Sequence, residues 1–330
     1  ADTRRTGEAA VEPALGPFKC LCERGLRRLD GGGVGGEFAR MLAALFQAWR
    51  TAVQHRVRAE LSVNAAGLVR YLYGLPVGIA LLAFYLGWRG YHLPALPSSF
   101  IAYCAAAGFA QIIGTNLLLM AFGYRNYVAG TAFAKTEAMQ GALLAFLLLG
   151  ETLSWLTIGG IAVGVAGVMI VAAGGQRLRL PDIVQPAALC GLGAGLGFTM
   201  TSIFVKSASL ELATVDKLLA ALVALVVVQA WQTLMQGSYV AVREREQLPR
   251  VFATWRTSGQ VGVLAALGSA CWFTGFATAP VALVRAVGQV EVILTLGFSR
   301  FYLREARKPG EALGLLLVGI GVVLALIGGL

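Results

Sequence analysis

The stretch from Tyr127 to Gly174 constrains this chain more than any other, because it returns 154 residues later without a gap. Glu137 maps onto Glu291, Glu151 onto Glu305, Gly160 onto Gly314 and Gly167 onto Gly321. Each copy is a pair of apolar segments joined by a polar hinge, Gly150-Glu151-Thr152 in the first. An apolar segment of about 20 residues is what a helix needs to cross a bilayer. The repeat therefore places the same acid, Glu137 and Glu291, inside two membrane helices. The match extends outward: Glu60-Leu61 answers Glu211-Leu212, and Phe122 answers Phe276.

Composition agrees with a membrane setting. Of 330 residues, 57% are hydrophobic and 13% charged, against about 25% charged in a soluble domain. The 42 glycines suit helices that touch backbone to backbone in lipid. The net charge of +10 does not point to nucleic acid. Most Lys and Arg lie in short loops and the N-terminal tail, where topology and anionic headgroups account for them. With 2 His and a lone Cys20-Leu21-Cys22, the chain has little material for a metal centre. Cys104, Cys190 and Cys271 read as small packing residues. Hydrolase, phosphate-loop and metalloprotease motifs are absent from the sequence, so neither cofactor nor enzymatic activity is expected.

Apolar windows predict ten helices, near 37–57, 65–87, 99–122, 127–149, 153–174, 187–207, 214–236, 258–279, 281–302 and 310–329. The expected fold is an all-α polytopic membrane protein of ten transmembrane helices, arranged as two inverted five-helix repeats. Five is odd, so the second half must cross in the opposite sense. The organisation expected is a polar basic tail (1–36), a first repeat (37–174), a linker (175–186) and a second repeat (187–330). The charged segment 237–257 reads as the longest solvated loop. Inverted repeats place a binding site near the midplane, between the halves.

Six ionisable side chains fall well inside predicted helices: Arg50, Arg70, Lys135, Glu137, Arg285 and Glu291. Each charge at the bilayer centre costs roughly 2.5–3.5 kcal/mol on insertion scales, so they should face inward and find partners. Structural ion pairs would satisfy that requirement, and so would a binding site. Four cations against two acids favour an anionic or zwitterionic ligand, such as one bearing a carboxylate. On a continuous helix Lys135 and Glu137 point apart, so each needs a partner elsewhere. Thr131 and Lys135 share a face, echoed by Arg285 and Gln289 in the second half. Gln140, three residues after Glu137, is placed to hydrogen-bond it. Trp272, Tyr71 and Tyr73 are candidates for shaping a cavity, and Gln47, Gln111, Asn116, Thr199, Thr201 and Ser202 for lining it. Glu137 and Glu291 are candidates for a proton taken up and released in transport. Glu151 and Glu305 read as structural acids near the starts of the helices that follow them.

These residues resemble a known family. The Leu149-Gly150-Glu151 hinge, the Gly-rich helix after it and the repetition of both look like the EamA-type members of the drug/metabolite transporter superfamily. Phe133 to Glu137, Gly288 to Glu291 and Arg70 to Pro76 are similar to segments of a bacterial branch of that family. The resemblance covers about 40–330 and implies a multi-pass carrier of the bacterial inner membrane with both termini cytoplasmic. Loop counting of Lys and Arg instead favours an outside N-terminus. The expected activity is secondary transport of a small metabolite by alternating access, as an exporter. A lipid-headgroup flippase, an integral-membrane enzyme and a passive channel are the alternatives. The expected partners are a small-molecule substrate and the lipid bilayer, with no nucleic acid, in a monomer or homodimer.

Overall fold

A computed structural model of the chain describes residues 57, 60–121, 124, 133–173, 185–214, 216–290 and 310–328. Within these residues the chain is helical, with no strand. We label the helices α1 (Val63–Leu72), α2 (Gly74–Arg89), α3 (Ser98–Ala121), α4 (Glu137–Leu149), α5 (Trp155–Ala173), α6 (Pro186–Glu211), α7 (Lys217–Arg243), α8 (Gln247–Ala253), α9 (Trp255–Thr278), α10 (Val281–Gly288) and α11 (Glu311–Gly328). Five spans are long and apolar enough to cross a membrane: Val63–Arg89, Ser98–Ala121, Pro186–Glu211, Lys217–Arg243 and Trp255–Thr278. Glu137–Leu149, Trp155–Val171 and Ala312–Gly328 are shorter apolar helices. The helix expected near 37–57 lies outside the described residues except for Val57.

Two sequence expectations change here. The helix expected near 65–87 is one bent span, α1 and α2, broken at Tyr73. Pro76 has no N–H to offer the Leu72 carbonyl, and its ring crowds that carbonyl, so the ladder opens one turn before it. The bend packs on α9: a Cβ added at Gly262 would stand 2.5 Å from the Tyr73 carbonyl carbon. The segment 237–257 is not a solvated loop. α7 runs on to Arg243, α8 follows, and α9 begins at Trp255. Val251 on α8 is fully buried, and its carbonyl accepts the Tyr73 hydroxyl at 3.1 Å. The charges of this segment line an exposed edge while its apolar side covers α1.

Helix ends are set by local chemistry. The Ser62 hydroxyl accepts the Ala65 N–H and caps α1. Asp216 accepts the N–H groups of Leu218 and Leu219 at the start of α7 and also the Tyr85 hydroxyl. Gly150 closes α4 in the left-handed region, φ 66°, a conformation that other residues enter only at a cost.

The two copies of the repeat meet at α5 and α11. A Cβ built on Gly160 would lie 2.7 Å from the Gly321 carbonyl oxygen, and one on Gly321 would lie 2.6 Å from that of Gly160. Gly167 and Gly314 stand in the same relation, 2.6 and 2.7 Å. In the 154-residue repeat Gly314 is the image of Gly160, and Gly321 of Gly167. Each glycine thus touches the image of the other, as a two-fold relation between antiparallel helices requires. Leu61 and Leu212 are both buried, and Glu60 and Glu211 both exposed, so the outlying repeat positions also share environments.

Candidate functional site

α4 and α10 are interrupted at equivalent places. Phe133 and Ala134 are helical, Lys135 and Thr136 form a turn, and α4 resumes at Glu137. The Thr136 hydroxyl donates to the Phe133 carbonyl at 2.7 Å, diverting an acceptor that a continuous helix would use. In the second half α10 ends at Gly288, and Gln289 forms a turn. Gln289 is the image of Lys135. Broken helices facing one another between repeats are a recurring substrate-site architecture in carriers. The expectation of one unbroken helix over 127–149 is corrected by this turn. So is the placing of Lys135 and Glu137 around a regular helix, and residues 127–132 lie outside the described residues.

Glu137 finds its partner in the other half. Its Oε2 lies 3.2 Å from Arg285 Nη1, with side chains 16% and 9% exposed. Arg285 is held on every side. Its Nε and Nη2 donate to the Ser202 hydroxyl, and Nη2 also donates to the Phe198 carbonyl at 2.6 Å. Its guanidinium carbon stands 5.2 Å from the Trp272 ring and 5.3 Å from that of Phe276. These two rings stack on each other at 5.8 Å. Thr199 donates to the Glu137 carbonyl at 3.0 Å. Arg285 therefore joins α4, α6, α9 and α10 around one neutral pair.

The remaining candidates distribute around this pair. Gln140 does not bond Glu137. Its Nε2 donates to Thr136 and to the Leu192 carbonyl, because the turn at Thr136 brings that hydroxyl back along α4. Its Oε1 is buried without a hydrogen-bond partner. Gln289 packs its Oε1 on Gly164 of α5 and leaves Nε2 buried without a partner. Trp272 covers Gly288 at the second break. Lys135 lies in the first break, half-buried. Arg70 is not brought to this group: it sits on α1, where its Nη1 donates to Thr115. Arg50 and Glu291 lie outside the described residues, as does Thr131.

Glu151 is a structural acid, as expected, but it serves a different helix from the one that follows it. Its Oε2 accepts the Val281 N–H at 3.0 Å, at the start of α10, and its Oε1 pairs with Lys206 at 2.5 Å. Lys206 further donates to the Ala279 carbonyl. The hinge acid of the first half thus caps a helix of the second. At the opposite end of the bundle, Glu244 accepts from Ser62 and from Asn64 Nδ2. Each end carries a polar contact between the halves. Lys206→Met should destabilise the purified protein by on the order of 2 kcal/mol, because a charge-assisted hydrogen bond is lost and Glu151 keeps only a backbone donor. An unaltered midpoint of thermal unfolding in detergent would remove this contact from the account.

Sequence reasoning missed Lys206, which reads as an interfacial cation near a helix end. It also missed Gln229, Gln232 and Gln236, all buried on α7. Their spacing of three and four residues, a polar stripe on an otherwise apolar helix, is a signal that would have found them.

Among the described residues, an apolar helical bundle with internal two-fold contacts and a polar helix break in each half is the build of a multi-pass membrane protein. Residues 34–173 match the model of the EamA-like transporter family. No curated protein matches the chain. A solved structure, "Crystal structure of protein", shares the fold with a TM-score of 0.66, covering 88% of this chain and 96% of the other at 17% identity. The fold likeness thus runs well past residue 173, where the family match ends.

Proposed function

We propose that this chain is a secondary carrier of the bacterial inner membrane that exports a small anionic or zwitterionic metabolite by alternating access. The moving parts are the two inverted five-helix halves, 37–174 and 187–330. The observation that carries this reading is the pair of helix breaks at Lys135-Thr136 and Gly288-Gln289, equivalent in the repeat, with Glu137 and Arg285 paired between them. The unpartnered amide atoms of Gln140 and Gln289 supply one acceptor and one donor that a bound solute can use. Polar ties at both ends of the bundle fit a state closed to both sides, from which one tie opens at a time.

The test is a metabolite-release screen in one cell background, comparing wild type with Glu137→Gln and Lys135→Ala. Wild type should release at least one anionic or zwitterionic metabolite faster than cells lacking the protein. Each variant should slow that release about tenfold, equivalent to ~1.4 kcal/mol on the rate-limiting barrier, at equal membrane abundance. Release indistinguishable from cells without the protein, or variants as fast as wild type, would end this reading.

A further inference from the structure

Arg285 and Arg70 are the same residue in the same setting, a buried guanidinium within a membrane bundle, and they are treated very differently. Arg285 has a carboxylate, a hydroxyl, a carbonyl and two aromatic faces. Arg70 is equally buried, 7% exposed. Its one hydrogen bond is a long one, 3.4 Å from Nη1 to Thr115 Oγ1. The other contact is the ring of its chain neighbour Tyr71, 5.7 Å away. Among the described residues no carboxylate pairs with it. α1 packs against α2, α3, α7, α8 and α9. Glu244, the acid that follows α7, is already held by Ser62 and Asn64 at the far end of α1.

A guanidinium has five N–H donors, so four of Arg70's are unused. Thr115 Oγ1 also accepts the Tyr71 hydroxyl, at 3.3 Å. It therefore receives two hydrogen bonds and keeps its own hydrogen free to donate. A cation with spare donors beside a hydroxyl with a spare hydrogen is a set of donors lacking an acceptor. Charges buried in membranes without partners mark ligand or ion pathways.

We propose that Arg70, with the hydroxyl of Thr115, is an anion subsite that takes a carboxylate group. The flat guanidinium fork matches the two oxygens of a carboxylate. A phosphate would bring a second negative charge, for which the described surroundings of Arg70 offer no second cation. The source of the carboxylate is the transported solute, and for that assignment alone the inference rests on the carrier reading. The subsite lies on α1 and α3, apart from the Glu137–Arg285 group, so a solute held by both would reach across the bundle.

The test measures binding without transport. Detergent-purified full-length protein is unfolded thermally in acetate, lactate, succinate or benzoate, and in chloride or inorganic phosphate at matched ionic strength. At a carboxylate concentration ~100-fold above its dissociation constant the wild-type midpoint should rise by about 5 °C, with chloride and phosphate inert. The rise should vanish in Arg70→Met and persist, reduced, in Arg70→Lys. Without added anion, Arg70→Met should unfold no lower than wild type, because it removes an uncompensated charge. The proposal is overturned by any of four results: no carboxylate shift in wild type, a shift that survives in Arg70→Met, a shift produced by phosphate alone, or an Arg70→Met protein that unfolds well below wild type or does not fold. A carboxylate shift in a protein that exports nothing would leave the subsite standing and remove the carrier reading. Export without any shift would do the reverse.

Discussion

Gly160→Ala and Gly321→Ala are each expected to destabilise the protein by on the order of 3 kcal/mol, the upper end of what overpacking produces. Gly159→Ala and Gly319→Ala should be neutral or mildly stabilising. The four substitutions are chemically identical and lie on the same two helices. They differ in what the new methyl meets. At Gly160 it meets the backbone of Ala325 and Gly321 at 2.5 and 2.7 Å, and at Gly321 the backbone of Gly160 at 2.6 Å. Backbone cannot rotate aside as a side chain can, so α5 and α11 must separate. At Gly159 and Gly319 there is nothing within 4 Å, and the better helix propensity of alanine is all that remains, about 0.5–1 kcal/mol in its favour. Midpoints of thermal unfolding in detergent would show the contrast directly. Equal midpoints for Gly159→Ala and Gly160→Ala would mean that the two helices are not in backbone contact.

The second large effect concerns the pair between the halves. Arg285→Met should cost about 3–5 kcal/mol, because it strands the Glu137 carboxylate in a buried position. Glu137→Gln should cost distinctly less, since Arg285 retains Ser202, the Phe198 carbonyl and two rings. The double variant Glu137→Gln/Arg285→Met should recover part of the loss, with an interaction energy of roughly 1–3 kcal/mol. Strict additivity would show that the pair is not formed in the folded protein.

The parts of this structure that could be read in advance were those written in composition and in repetition. Apolar windows located α3, α5, α6, α7 and α9 to within a turn at most of their ends. The 154-residue repeat singled out Gly160, Gly167, Gly314 and Gly321 before their contacts were known. Placing six charges in helices named Glu137 and Arg285 among the candidates, and the requirement that each find a partner elsewhere is met by their pairing. The breaks at Lys135-Thr136 and Gly288-Gln289 were not legible. The first depends on a Thr hydroxyl competing for one carbonyl, an event that leaves the hydrophobic pattern unchanged. The bend at Tyr73 was legible from Pro76 but was absorbed into a long apolar window. The partners of Glu151 were hidden for another reason. Lys206 and Val281 are 55 and 130 residues away, and no local rule connects them.

The contact between α5 and α11 has a mechanical consequence. Two helices that meet through interlocked side chains must unlock them, rotamer by rotamer, before either can slide. Here glycine meets glycine, and at Gly160 and Gly321 the surfaces in contact are backbone, with the Val171 and Leu317 side chains against the second glycine pair. On the carrier reading proposed above, such a seam is where shear between the halves is expected. Charged contacts between the halves stand elsewhere, among them Glu151 with Lys206 and Arg89 and Tyr85 with Asp216 at one end, Glu244 with Ser62 and Asn64 at the other, and Glu137 with Arg285 between them. On that same carrier reading, the glycine seam is the bearing and these charged contacts are the brakes.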